Sequence, residues 1–137
     1  MNILFFLTPK SDVVYVEDCA TLIQTLDAME KHKYAAIPII SKSGKYIGTI
    51  AEGDILRHIK KNNDFSLKNA EDTLIKNIDK NKDNSTVNVN SKFENLIKKA
   101  INQNFVPVVD DDNKFIGIIT RKDIMEQWHK VYTDEHK

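Results

Sequence analysis

The sequence predicts an α/β fold built from two copies of one β-α-β-β-α unit, and three observations carry that reading. Landmarks recur at a single spacing: Pro38 and Pro107, Gly48 and Gly117, and Asp54 and Asp123 each stand 69 positions apart. Each landmark sits in the same apolar context. Ala35-Ala36-Ile37-Pro38-Ile39-Ile40 answers Asn104-Phe105-Val106-Pro107-Val108-Val109, and Tyr46-Ile47-Gly48-Thr49-Ile50 answers Phe115-Ile116-Gly117-Ile118-Ile119. Upstream the spacing becomes 71, with Val16 matching Val87 and Leu22 matching Phe93. The second copy therefore lacks two residues between its first helix and the next strand, where a loop absorbs the change.

Each copy reads in the same order. It opens on a short run with strand propensity, Val13 to Val16 or Thr86 to Val89. The next segment has helical spacing. Copy one presents Leu22, Leu26 and Met29 with Thr25 beside them. Copy two presents Phe93, Leu96, Ile97, Ala100 and Ile101, the i, i+3, i+4, i+7, i+8 stripe of a helix with one buried face. The apolar run through each proline is too short for a helix and predicts a buried strand. Ser41-Lys42-Ser43-Gly44-Lys45 and Asp110-Asp111-Asp112-Asn113 are turn signals. The strands after them run from Tyr46 to Ala51 and from Lys114 to Thr120. A second helix closes each copy, with Ile55, Leu56 and Ile59 answering Ile124, Met125 and Trp128. Residues 8–60 and 85–131 form the two domains. Residues 61–84, rich in Lys, Asn and Asp, read as a linker with one short helix around Ala70 to Ile78. A copy of about 50 residues cannot bury both faces of its sheet alone. The two are expected to pack through their sheets and to leave clefts between them.

A formal net charge of zero gives no support to a polyanion-binding role, and no basic stripe is interleaved with aromatics, so nucleic acid is not an expected partner. Cys19 is the only cysteine, which excludes an internal disulfide and fits a reducing, cytoplasmic setting. Ile3-Leu4-Phe5-Phe6-Leu7 is apolar but far shorter than the ~20 residues of a membrane span. It reads as a strand or helix that packs on the body or on a partner, and no membrane association is expected. There is no Gly-x-Ser-x-Gly elbow, and Ser43-Gly44-Lys45 lacks the upstream glycine of a P-loop. His32, His58, His129 and His136 show no zinc-ligand spacing, and Asp110-Asp111-Asp112-Asn113 lacks the glycine and terminal glutamate of a calcium loop. Met125 and Trp128 at helical spacing read as core or dimer contact. No nucleophile, base and orienting group can be assembled, so the chain is not expected to be an enzyme or to need a metal or cofactor.

The order of elements, the apolar-Pro-apolar strand and the Gly-apolar-apolar-Thr-x-x-Asp ending resemble the CBS domain. The doubling resembles the tandem CBS pair, or Bateman module, over residues 8–130. A narrower likeness lies in Leu7-Thr8-Pro9, Tyr34-Ala35-Ala36-Ile37-Pro38, the deletion in copy two, Phe105-Val106-Pro107-Val108 and Ile119-Thr120-Arg121-Lys122. These resemble the stand-alone CBS-pair proteins of Gram-positive bacteria, a group that includes receptors for cyclic di-AMP. Asp12 stands where that group often carries a basic residue, with Lys10 nearby, and Asp123 resembles the general adenosine-nucleotide pattern. Cyclic di-AMP comes first among the implied ligands. AMP, ADP, ATP and S-adenosylmethionine remain open, as does a structural dimerisation module with degenerate clefts. The resemblance further implies a sensor that acts in trans on a target protein, and a homodimer.

An adenosine ligand presents a base, a ribose diol and a phosphate. A diol wants a carboxylate that accepts two hydroxyl protons; a phosphate wants hydroxyls, a helix N-terminus and cations. Thr120-Arg121-Lys122-Asp123 offers these at a predicted helix start. Thr120 can cap the helix and donate to a phosphate, Arg121 or Lys122 can neutralise it, and Asp123 can reach the ribose. The same four residues also read as a plain capping box. Copy one has Ala51-Glu52-Gly53-Asp54 there: the hydroxyl is gone, and Glu52 repels a phosphate. Unequal clefts are expected, with the Asp54 cleft weak, empty or a ribose-only contributor. By family analogy Val14, Ala36, Ile37, Pro38, Phe105 and Val106 line the ligand, with Thr86 in the weaker set. Tyr34 either stacks on a base or packs in a core or interface. Pro38 and Pro107 can equally serve only to end sheet pairing.

Overall fold

Neither repeat closes its own core; each is sealed by chain that lies outside it. The computed structural model describes residues 2–62, 66–80 and 84–135. Residues 63–65 and 81–83 of the linker, and His136, lie outside the described residues. In chain order the elements are a 3-10 turn (Ile3–Phe6), β1 (Thr8–Pro9), β2 (Val16–Glu17), α1 (Leu22–His32), β3 (Ala36–Ile40), β4 (Tyr46–Ala51), α2 (Glu52–Lys61), α3 (Leu67–Asp72), a 3-10 turn (Ile75–Asn77), β5 (Val87–Asn88), α4 (Phe93–Ala100), β6 (Phe105–Val109), β7 (Phe115–Thr120) and α5 (Arg121–Glu135). A further short 3-10 turn, Lys10–Asp12, follows β1. The chain divides into a first unit, Val14–Asp83, and a second, Met1–Val13 with Asn84–Lys137.

The repeat is exact at the level of strand register. In the first unit β2 runs parallel to β3 and β3 antiparallel to β4, with Ile39 opposite Gly48 and Ile40 opposite Tyr46. In the second, β5 runs parallel to β6 and β6 antiparallel to β7, with Val108 opposite Gly117 and Val109 opposite Phe115. The skipped residues, Ile47 and Ile116, make the same bulge in both ladders. The hairpin turns match as well. Gly44 and Asn113 both take positive φ, at 89° and 62°. Asp110 is a turn builder: its Oδ1 accepts from the amides of Asp112 and Lys114, both at 2.9 Å.

The first unit's core joins Leu22, Met29, Ile37, Ile39, Ile50 and Ile55 to Ala70, Ile75 and Ile78. The last three belong to the predicted linker, yet Ile75 and Ile78 are 0% and 2% exposed. Burying each contributes about 1.5–3 kcal/mol. The single helix expected around Ala70 to Ile78 is in fact α3, an extended pair Thr73-Leu74, and a 3-10 turn. The break has a cause: Leu22 N–H donates to Thr73 O at 2.8 Å, Ile75 N–H donates to Ala20 O at 2.8 Å, and Thr21 bridges Leu74. Those bonds need extended backbone.

The second unit's core joins Val87, Leu96, Ala100, Val106, Val108 and Ile119 to Ile3 and Phe6 from the chain's first turn. Phe6 meets Phe93 with ring centroids 5.4 Å apart. The N-terminal apolar run thus packs on the body, against the second repeat. β1 extends that unit's sheet, giving the order β1-β7-β6-β5. Two apolar expectations end differently. Ile101 follows the last turn of α4 and is 68% exposed. Met125 and Trp128 are exposed too, at 69% and 66%, so they are not core. Trp128 stacks on Tyr132 and lines a groove of about 510 Å³ with Phe5, Phe6 and Phe93.

Candidate functional site

The predicted site residues fall into two sets, one on the sheet edge of each unit. In the second unit, Phe105 begins β6 opposite Thr120, the last residue of β7, and α5 starts at once. Thr86 precedes β5 on the same edge. Two amide side chains fasten that corner. Gln103 holds Ser85 through both its Oε1 and Nε2, and Asn84 and Gln103 both donate to Phe105 O at 3.2 Å.

The α5 start is a reciprocal cap. Asp123 N–H donates to Thr120 Oγ1 at 2.9 Å, and Thr120 N–H donates to Asp123 Oδ2 at 3.0 Å. A third partner comes from β1: Thr8 Oγ1–H donates to the same Asp123 Oδ2 at 3.0 Å. Among the described residues, Asp123 Oδ1 accepts no hydrogen bond. Thr120 uses its hydroxyl oxygen as an acceptor and keeps its proton to give. The corner therefore shows one carboxylate oxygen, one hydroxyl proton and a positive helix terminus on half-buried groups.

Arg121 is employed otherwise. Its Nε donates to Ala100 O at 2.6 Å and its Nη2 to Ile101 O at 2.9 Å. It caps the C-terminus of α4, whose last carbonyls have no helical partner. Nη1 and the second Nη2 hydrogen are left to face an anion. Lys122 is exposed and lies 3.8 Å from Glu126, a solvent-screened pair. Arg121→Leu is expected to leave both carbonyls short of a donor and cost about 1–3 kcal/mol. A thermal unfolding midpoint equal to that of the parent protein contradicts that role.

In the first unit, Ala36 pairs with Ala51, and α2 starts at Glu52. Ala51 N–H donates to Asp54 Oδ2 at 2.9 Å, but Oδ1 is bound by Arg57 Nη2. Asp54 is 3% exposed, and both its oxygens are spoken for. Glu52 N–H, at the helix start, donates to Ala35 O at 2.9 Å. The inequality expected from Ala51 and Glu52 thus extends to the carboxylate itself. Val14 packs half-buried against the first core. Tyr34 is 45% exposed and stacks on His32, centroids 5.8 Å apart, so it is not a core residue. Pro38 is buried, and Ile37 and Val106 are 0% exposed. The last two can offer a ligand main-chain atoms only.

Thr8 enters the sequence reading only within the Leu7-Thr8-Pro9 likeness, with no part assigned to it at the site. Its contact with Asp123 spans 115 positions, and no local pattern reports it. The available signal is a weak extension of the repeat: Ile3 and Phe6 stand 72 positions before Ile75 and Ile78.

The chain is similar to known proteins over most of its length. The model of the CBS domain matches residues 6–61 and 75–130. An uncharacterized protein of Methanocaldococcus jannaschii is 28% identical over 85% of this chain and 86% of its own length. The crystal structure of CbpB in complex with c-di-AMP superposes with a TM-score of 0.90 at 25% identity, over 99% of this chain and 89% of that one. CbpB from Streptococcus agalactiae gives 0.84 at 26%, over 94% and 80%. Among the described residues no helix is long and apolar enough to cross a membrane.

Proposed function

The chain belongs to the CBS-domain family, and from that premise we propose that it is a regulatory module, without catalysis of its own, that binds an adenine nucleotide at the start of α5. The observation that carries this reading is the orientation of Asp123, with Oδ2 tied down and Oδ1 open. A ribose hydroxyl meets that oxygen: the 2′-hydroxyl of cyclic di-AMP, whose 3′ oxygens lie in its phosphodiesters, or the free diol of a mononucleotide. A phosphate meets the Thr120 hydroxyl and the α5 terminus, with Arg121 Nη1 beside it. Phe105 and the main chain around Val106 supply the wall for the base. Cyclic di-AMP is the ligand favoured, because CbpB, alike over nearly the whole chain, was solved with it. The Asp54 corner is the weaker of the two. The bound state is read in trans by a target protein, and the working form is a homodimer in the cytoplasm.

A thermal-shift panel with cyclic di-AMP, AMP, ADP, ATP and S-adenosylmethionine tests the ligand. At 100 times its dissociation constant a ligand adds about 2.7 kcal/mol, roughly 10 °C for a chain of this size. Cyclic di-AMP is expected to give the largest shift. A larger shift with another of the five reassigns the ligand, and a flat response to all of them favours a structural dimerisation module.

A further inference from the structure

The nucleotide reading assigns no part to the chain's N-terminal segment, yet that segment reaches the centre of the proposed site. We infer that Thr8 is a positioning residue for the ribose: it holds the Asp123 carboxylate so that Oδ1, and not Oδ2, faces the ligand. This rests on the proposed nucleotide site and specifies how its selectivity for the ribose 2′-hydroxyl arises.

A capping box alone fixes a carboxylate at one point and leaves it free to turn about the bond to its own β-carbon. At Asp123 two donors, Thr120 N–H and Thr8 O–H, converge on one oxygen, each at 3.0 Å. They come from different elements, β7 and β1, so the plane of the carboxylate is set by the sheet and not by the helix alone. The first unit shows the alternative. Asp54 has the equivalent backbone donor at 2.9 Å, but Arg57, from one turn along its own helix, takes the other oxygen. The two carboxylates occupy equivalent places with opposite outcomes: among the described residues Asp123 keeps one oxygen with no donor on it, and Asp54 has both oxygens bound.

Thr8 can reach Asp123 because of Gly117. β1 pairs Thr8 with Ile118 and Pro9 with Gly117. A Cβ on Gly117 would lie 2.2 Å from Thr8 O and 2.9 Å from Leu7 Cδ1. The bare backbone at Gly117 lets β1 approach, and Pro9, with no N–H, suits a strand at the sheet edge.

The test measures selectivity for the ribose 2′-hydroxyl in the full chain. Affinities of AMP and 2′-deoxy-AMP, and of cyclic di-AMP and its bis-2′-deoxy analogue, are compared by calorimetry for the parent protein, Thr8→Val, Thr8→Ala and Thr8→Ser. The parent is expected to prefer the ribo form of whichever pair it binds. Thr8→Val is expected to reduce that preference about 5- to 10-fold, the scale of one lost hydrogen bond to a charged group. Thr8→Ser, which keeps the hydroxyl, is expected to retain it. A mere packing role for Thr8 lowers both affinities equally and leaves their ratio alone. If Thr8→Val fails to fold, Thr8→Ala, which adds no bulk, decides in its place. An unchanged ratio in the folded variant overturns the inference while leaving the nucleotide site standing. A parent protein that binds none of the four ligands overturns both.

Discussion

Asp123→Ala is expected to weaken nucleotide binding sharply, and Asp54→Ala to spare most of it. Asp123 presents an acceptor that a ribose hydroxyl meets with a charge-assisted hydrogen bond worth about 1.5–3 kcal/mol; a mononucleotide's diol can make two, the 2′-hydroxyl of cyclic di-AMP one. Losing one weakens binding by about 10- to 10²-fold and losing both by about 10²- to 10⁴-fold, which removes most or all of the thermal shift. Asp54 has no acceptor to lose, since Ala51 N–H and Arg57 already occupy its two oxygens. Its removal acts on stability. The carboxylate is buried, and without it Arg57 and the α2 start lose their partner, although Arg57's side chain is 42% exposed and water makes good part of the loss. A cost of about 1–2 kcal/mol follows. The two variants should therefore dissociate in their response to ligand: both lose stability, since each carboxylate caps its helix, but Asp123→Ala is largely blind to ligand and Asp54→Ala responds. Measured together by thermal shift with and without cyclic di-AMP, the reverse pattern would place the stronger site in the first unit.

Gly117→Ala carries the largest expected structural effect. The added Cβ meets a backbone oxygen, Thr8 O at 2.2 Å, and φ at Gly117 is 157°, at the margin of what an L residue adopts. No side-chain rotation relieves a clash with backbone, so β1 must leave β7 or the ladder must shift. Overpacking and backbone strain each cost about 1–3 kcal/mol, together about 2–6 kcal/mol, or roughly 10–20 °C in midpoint. β1 also tethers the turn that buries Ile3 and Phe6 in the second core, so amide exchange across residues 3–9 should quicken. A variant with parental midpoint and parental protection at those amides would show that β1 is not seated on Gly117.

Much of this architecture is legible before any coordinates, for identifiable reasons. Pro38 and Pro107, Gly48 and Gly117, and Asp54 and Asp123 repeat visibly at one spacing; both Asp residues cap a helix start, and a side chain at Gly117 would meet backbone. The helix stripes of Leu22, Met29 and Leu96 report burial directly. Three features are less legible. Arg121 registers in the sequence as a positive charge near a helix start, but charge alone does not say which acceptor takes it, and the carbonyls of Ala100 and Ile101 do. Met125 and Trp128 show that α5 has an apolar face without showing whether protein covers it. Residues 66–80 have the polar composition of a spacer, and three well-placed apolar side chains are enough to bind them into a core.

The crossed sealing of the cores has a consequence for how the polypeptide is made. Residues 66–80 leave the ribosome soon after the repeat they close, so the first unit can fold while synthesis continues. The 3-10 turn at Ile3–Phe6 must wait: it is made ahead of the first repeat, but Val106 and Ile119, which share its core, follow only in the second. No single cut separates residues 2–135 into two self-sufficient halves, and a change at Ile3 or Phe6 is felt by the second repeat.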